Sequence, residues 1–340
     1  MDFLYCFDEN YAKVASVSIF SLIKNNEKVR IHAFITDVTK ETQVALKNWL
    51  SNYGVSISFY ETEDLLKDYA SIFLHRKINV GTFGRLLASS VLPNEINRII
   101  YLDCDTLIVG NLEELSDLSM GDSLLAGVYD MAMPPVGAKE NLGYKKDDIY
   151  INAGVLVMDM QTWRKENVEE SFLSFCREHP DTLFFDQDAL NAVGHGRIKL
   201  LPPNYNLTFI TSELPYNCAV KLLEPYTTKY YSEEVYCDAQ KEPKIIHFAT
   251  EIFGKPWYDP SYIRFADIWR EYYNLTPWKS FPIAKRKYSR TKLIGIYKQI
   301  CERVILIFYR QKKYDTVSRL YHLLYQRTHM IQRALRRIRC

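Results

Sequence analysis

The sequence has no Cys-x-x-Cys pair, and its seven cysteines (6, 104, 176, 218, 237, 301 and 340) are scattered. No zinc module or disulfide framework is legible, and a reducing compartment is the expectation. A secretory leader, basic and then apolar, is missing from the first residues. No run approaches the roughly 18–20 apolar residues of a membrane span. Near the end, the longest covers only residues 304–309. The first strand-like segment is not followed by Gly-x-Gly-x-x-Gly, which excludes the dinucleotide fingerprint. Acidic residues almost vanish from residues 281–340, where 16 Lys and Arg face only Glu302 and Asp315. Residues 1–280 hold 27 basic against 39 acidic residues, so the net +2 conceals an acidic body and a basic tail. Only the tail calls for an anionic partner. No base-reading module accompanies it, so nucleic acid is not expected.

What is present suits one large α/β domain with an appendage: 340 residues, 47% hydrophobic and 14% aromatic. Residues 2–7 read as a strand. A helix follows, with Val14, Val17, Ser18, Phe20, Ser21 and Ile23 at helical spacing. Residues 29–35 read as a strand, 39–52 as a helix with Thr39 as N-cap, and 55–60 as a third strand. The alternation predicts a parallel, doubly wound sheet with right-handed crossovers. The expected division is residues 1–280 as this domain and 281–340 as a basic helical tail. In the tail Ile294, Tyr297, Cys301, Val304, Ile305 and Phe308 share one helical face. Such a face among basic residues suits an anionic bilayer surface, with a helical subdomain or an oligomer face as the alternatives.

The chemistry gathers at strand ends. Residues 98–102 form an apolar run that ends in Asp103-Cys104-Asp105. Two carboxylates at the carboxyl end of a buried strand repel each other unless a cation neutralises them. The alternative is a solvated turn. His247 closes another short apolar run, and imidazole suits Mn²⁺ better than Mg²⁺. Gly254 and Lys255 follow, a backbone amide and an ammonium fit for a pyrophosphate. Asp8, Asn10 and Tyr11 end the first strand and can read and stack on a base, or serve as a helix-capping cluster. Arg85 can pair with phosphate or with the aspartates, or lie on the surface. Asn152, Ala153 and Gly154 open a buried strand where small residues admit a ligand. Asp186, Gln187 and Asp188 open a helix, as a cap or as groups offered to a sugar. Asp130 ends the strand over residues 123–129, and residues 131–150 read as a lid or acceptor loop.

Taken in order, these stretches resemble glycosyltransferase family 8, in particular its bacterial retaining galactosyl- and glucosyltransferases of cell-surface glycans. They are Phe-Asp-Glu-Asn-Tyr-Ala (7–12), Arg85-Leu86, Tyr-Leu-Asp-Cys-Asp (101–105), Asp130, Asn-Ala-Gly-Val-Leu (152–156), Asp-Gln-Asp-Ala-Leu-Asn (186–191), and His247 with Lys-Pro-Trp (255–257). The resemblance implies a GT-A fold, a Rossmann-like and mostly parallel mixed sheet flanked by helices. It implies a UDP-glucose or UDP-galactose donor, a lipid- or protein-linked glycan acceptor, and a tail bound to the inner face of the plasma membrane. Asp103, Asp105 and His247 would bind Mn²⁺, with Mg²⁺ as the alternative. Asp8, Asn10 and Tyr11 would hold the uridine and Lys255 the phosphates. Arg85, Asn152, Ala153, Asp186 and Gln187 would meet the sugar, and Asp130 would face the acceptor. Cys104, inside the Asp-Cys-Asp motif, is expected at the donor as well. Gln187 would lie beneath the anomeric carbon, with Asp188 as the alternative nucleophile. One departure stands out. The family pattern His-Phe-x-Gly-x-x-Lys-Pro-Trp is two residues longer here, with Thr250 in the usual Gly position. A self-glycosylating primer like glycogenin and a non-catalytic glycan-binding scaffold are the competing classes.

Overall fold

The computed structural model describes residues 1–68, 83–131, 139, 142–180, 182, 184–223, 231–249, 255–259, 261, 263–280, 282–285, 293–317, 319–320 and 323. Thr250, Gly254, much of the expected lid and residues 324–340 lie outside them.

The alternation expected for the first third is observed: β1 (Asp2–Asp8), α1 (Ala12–Asn25), β2 (Arg30–Thr36), α2 (Lys40–Ser51) and β3 (Ser56–Glu61). Thr39 caps α2 by accepting from the Thr42 amide. The sheet then takes in β4 (Arg98–Leu102), β6 (Leu125–Tyr129), β7 (Ile151–Asp159) and β8 (Ile198–Leu201). Its order is β3-β2-β1-β4-β7-β6-β8. β1 runs parallel to β2 and β4, but β7 is antiparallel to both of its neighbours, so the sheet is the mostly parallel mixed one that the family resemblance implies, not the uniformly parallel one that the alternation alone predicts. Both faces are covered. Phe3, Tyr5 and Phe7 enter one core cluster, while Leu4 and Cys6 enter the other. That two-sided burial is why the strand reads as an unbroken apolar run.

β7 carries an irregularity where the chemistry lies. Gly127 pairs with Leu156 and Tyr129 with Ile151, so a two-residue step on β6 faces a five-residue step on β7. The side-chain phase changes across it. Ile151 and Ala153 join the same cluster as Leu156 and Met158, while Val155 and Val157 join the other. Such bulges re-aim side chains beside functional sites.

A separate antiparallel pair joins β5 (Thr106–Ile108) to β9 (Ile245–His247) and sets Thr106 opposite His247. A third cluster lies outside the sheet, and Ile305 and Val317 of the tail are buried in it with Leu207, Phe209 and Trp269. Tyr309 donates to Glu213 Oε2 at 2.5 Å, and Lys221 meets Asp315 at 2.7 Å. Part of the tail's apolar face is therefore packed on the body: Ile305 is buried, and Cys301 and Phe308 are partly covered. In the helix Leu293–Arg310 the outward stripe is Ile300, Arg303, Ile307 and Arg310. The side chains of Ile294 and Tyr297 lie outside the described residues. Among the described residues, no helix is long and apolar enough to cross a membrane.

Candidate active site

The carboxyl ends of β1 and β4 and the tip of β9 converge. Asp103 is tied to the bulge of β7 by its amide, which donates to the Gly154 carbonyl at 2.8 Å, and the Phe248 amide donates to the Asp105 carbonyl at 2.9 Å. These ties bring together Asp103, Asp105 and His247, whose ligand atoms all lie within 4.8 Å of one another. His247 Nε2 lies 3.2 Å from Asp105 Oδ1 and 3.6 Å from Asp103 Oδ2. Glycine is required beside them. A Cβ at position 154 would run into the His247 ring and come 2.9 Å from Asp103 Oδ2. The donor set, two carboxylates and an imidazole around a cradle cleared by a glycine, fits a divalent cation. Burial would raise the Asp105 carboxyl, but the Lys255 ammonium and the His247 ring outweigh it and hold it well below the carboxylate range. Burial would likewise lower His247, and Asp105 raises it instead. Lys255 Nζ reaches Asp105 Oδ2 at 2.8 Å and also donates to the Phe248 carbonyl.

Arg85, only 3% exposed, is the hub of the next layer. Its guanidinium lies 3.3 Å from Asp103 Oδ1 and 3.1 Å from Asp186 Oδ2, and donates to the Ala153 carbonyl at 2.5 Å. It also lies over the Tyr101 ring, 4.2 Å from the centroid, while the Tyr101 hydroxyl donates to Asp103 Oδ1 at 2.6 Å. Burial raises the Asp186 carboxyl although Arg85 pulls the other way. The surface alternative for Arg85 is thereby excluded.

The helix Phe185–Val193 supplies the other wall. Phe185 takes φ +29°, a strained turn into that helix. Gln187 Oε1 accepts from the Ala153 amide at 2.9 Å, and its Nε2 donates to Asp130 Oδ2 at 3.1 Å and to Tyr150 Oη at 3.2 Å. Asn152 Nδ2 donates to the same Asp130 oxygen at 3.1 Å. Asp188 points elsewhere. It is fully buried, and its two oxygens accept from the Tyr150 hydroxyl at 2.6 Å and the Phe184 amide at 2.8 Å.

Other expected residues have different surroundings. The Cys104 thiol turns into the core and donates to the Cys6 carbonyl at 3.3 Å, so it does not face the crevice with its flanking aspartates. Asp8 Oδ1 accepts from the Tyr11 amide at 2.9 Å and closes the turn before α1, whose N-cap position, Tyr11, has no side-chain cap bond, while Asn10 and Tyr11 stay exposed at the same edge. Three residues here were not singled out by sequence reasoning. Glu9 accepts from the Thr39 amide at 2.9 Å and the Thr42 hydroxyl at 2.7 Å. Tyr101 closes the Arg85 cluster. Asn206, buried in the irregular segment after β8, faces His247 Nδ1 at 2.9 Å. The only trace of Asn206 in the sequence is an amide in a Pro-Pro-Asn-Tyr-Asn stretch just before an apolar run.

A Rossmann-like mixed sheet with an Asp-x-Asp pair and a distant histidine at its carboxyl edge defines a glycosyltransferase of the GT-A type. More narrowly, the chain belongs to glycosyl transferase family 8, whose sequence profile matches residues 2–260. The chain is 28% identical to general stress protein A of Bacillus subtilis over 293 residues, 82% of this chain and 95% of that one. It is also 28% identical to a lipopolysaccharide 1,2-glucosyltransferase of Escherichia coli over 288 residues, 82% and 79% of the two chains. The galactosyltransferase LgtC, solved with donor and acceptor sugar analogues, superposes with a TM-score of 0.67 at 21% identity. The match covers 82% of this chain and 99% of that one and is a likeness of fold. Family membership makes the protein a glycosyltransferase.

Proposed function

We propose that the protein is a metal-dependent, retaining hexosyltransferase that moves glucose or galactose from a UDP-sugar to a glycan acceptor of cell-surface polysaccharide or lipopolysaccharide. The observation that carries this reading is the Asp103, Asp105 and His247 cluster with Arg85 and Gln187 one layer away. The relatives named for lipopolysaccharide glucosyl transfer support the acceptor class.

Asp103, Asp105 and His247 would hold Mn²⁺. When bound, the ion supplies Lewis-acid charge to the diphosphate. Lys255, already beside Asp105, adds an ammonium at the same oxygens. Asp8, Asn10 and Tyr11 line the edge for the uridine. Arg85, paired with Asp186, would hold that carboxylate for the sugar. The acceptor oxygen forms a bond to the anomeric carbon as the bond from that carbon to the diphosphate breaks, and the acceptor proton passes to the departing diphosphate. This front-face course follows from the side chains available. Gln187 presents an amide, a poor nucleophile, fixed at both ends by hydrogen bonds. Asp188, the alternative nucleophile, has both oxygens engaged in the interior. Asp130, which accepts from Asn152 and Gln187 on one oxygen, would face the acceptor.

The basic tail, residues 281–340, is read as a peripheral anchor on the anionic inner face of the plasma membrane, in the cytoplasm. Its outward stripe of Ile300, Arg303, Ile307 and Arg310 suits that surface. UDP release from a panel of UDP-sugars with Mn²⁺, repeated with Asp105→Ala, tests the enzyme reading. No release from any donor, or equal release by the variant, would overturn it. Sedimentation with anionic liposomes, with and without residues 282–340, tests the anchor, and equal partitioning would sink it.

A further inference from the structure

Four polar side chains run in line from the cation cluster to the acceptor side, and their hydrogen-bond directions are fixed at both ends. The Gly154 amide can only donate, and it meets Asn152 Oδ1 at 3.0 Å. Asn152 Nδ2 must therefore be the atom that faces Asp130 Oδ2, at 3.1 Å. Asn206 Nδ2 donates to Asn152 Oδ1 at 2.9 Å. That leaves Asn206 Oδ1 for His247 Nδ1, 2.9 Å away. Turning Asn206 over would set oxygen against oxygen at Asn152. The line thus requires a proton on His247 Nδ1, and a neutral imidazole so protonated has its lone pair on Nε2. Nε2 is the atom that faces Asp103 and Asp105.

We propose that Asn206 is a positioning residue. Its amide oxygen fixes the tautomer and ring plane of His247 for the cation, and Asn152 couples that setting to Asp130 and, through it, to Gln187. The inference rests on the metal reading given above. It also assigns a purpose to the bulge of β7, which supplies both the Gly154 amide and the Asn152 side chain that set the direction.

The test is Mn²⁺ affinity of the full chain without donor, read from the free-ion signal in electron paramagnetic resonance, with thermal unfolding as the check on folding. Asn206→Leu keeps the volume and removes the acceptor, and should weaken Mn²⁺ by about 10–100-fold. Asn206→Asp keeps an acceptor for Nδ1 but sets its second oxygen against Asn152 Oδ1, so it should recover at least about threefold of the Asn206→Leu loss without reaching wild-type affinity. Asn206→Leu combined with Asn152→Asp carries the same added charge without the acceptor, and should remain weak. A folded Asn206→Leu protein with wild-type affinity overturns the proposal, as does rescue by the Asn152→Asp combination. If Asn206→Leu does not fold, Asn152→Ala decides, since unchanged affinity there overturns the coupling. His247→Ala separates the two levels. If it leaves Mn²⁺ binding unchanged, the metal reading itself fails. If it weakens binding while Asn206→Leu does not, only the role of Asn206 fails.

Discussion

Arg85→Ala is the most informative single change, because it removes one buried cation from between two half-buried carboxylates. Each contact, 3.3 Å to Asp103 and 3.1 Å to Asp186, is worth about 5 kcal/mol gross at an effective dielectric near 20. Desolvation of the guanidinium takes back much of that. The net cost of breaking such a buried cluster by deleting one partner is about 3–5 kcal/mol. The stack on Tyr101 and the bond to the Ala153 carbonyl are lost as well. Against a total stability of about 5–15 kcal/mol, the variant should fold but melt well below the wild type, by roughly 6–10 °C at about 2 °C per kcal/mol. Asp186→Asn in the same background removes the stranded charge and should recover about 1–2 kcal/mol. Calorimetry or denaturant melts of the wild type, both single variants and the double variant complete the cycle. If the two single effects simply add, Arg85 is not holding Asp186 by charge, and the reasoning fails.

Gly154→Ala should leave the sheet folded but lower Mn²⁺ affinity by at least about tenfold, because the new Cβ displaces His247 and Asp103 together; titration calorimetry reads it, and wild-type affinity would contradict the cradle. Burial tends to raise the Asp2 carboxyl, but His32 and Arg30 hold it down to about 2. The stability it lends is complete above about pH 4 and disappears as pH falls through about 2, so Asp2→Asn should cost about 1 kcal/mol at neutral pH, after solvent screening, and only a small fraction of that at pH 2. Acid melts followed by circular dichroism check this, and a cost that persists undiminished at pH 2 would assign it to packing. Glu9→Ala, which strips the Thr39 amide and the Thr42 hydroxyl of their acceptor, should cost about 1 kcal/mol in urea melts without altering Mn²⁺ affinity.

Much of this was readable in advance, for physical reasons that differ by element. β1, β2 and β4 announce themselves because strands buried on both faces need unbroken apolar runs, while β3, exposed at Ser56 and Ser58 and buried at Ile57, shows as an alternation. Their direction does not, since an apolar run reads the same whether its neighbour is parallel or antiparallel, and so a mixed sheet could be expected only through the family resemblance, which does not say that β7 is the reversed strand. The pairing of β5 with β9 was equally hidden, as three-residue strands joining Thr106 to His247 leave no periodic trace. Asp186 and Asp188 look equivalent in sequence. On a helix, two positions apart means about 200° of rotation, which turns one toward Arg85 and the other into the interior against Tyr150. The direction of the Cys104 thiol was equally hidden, because Asp-Cys-Asp forms a turn with no fixed side-chain alternation, and the thiol points back to the Cys6 carbonyl. Asn206 was missed because its partner is 41 positions away.

The seven strands of the main sheet all lie before residue 202, whereas the imidazole that completes the cation cluster sits at 247. On a ribosome that adds about 5–20 residues per second, some 2–9 s separate the two events. A nascent chain can therefore finish its scaffold while the third ligand is still unsynthesised. Truncation anywhere between those points would leave a sheet with two aspartates and no histidine to join them.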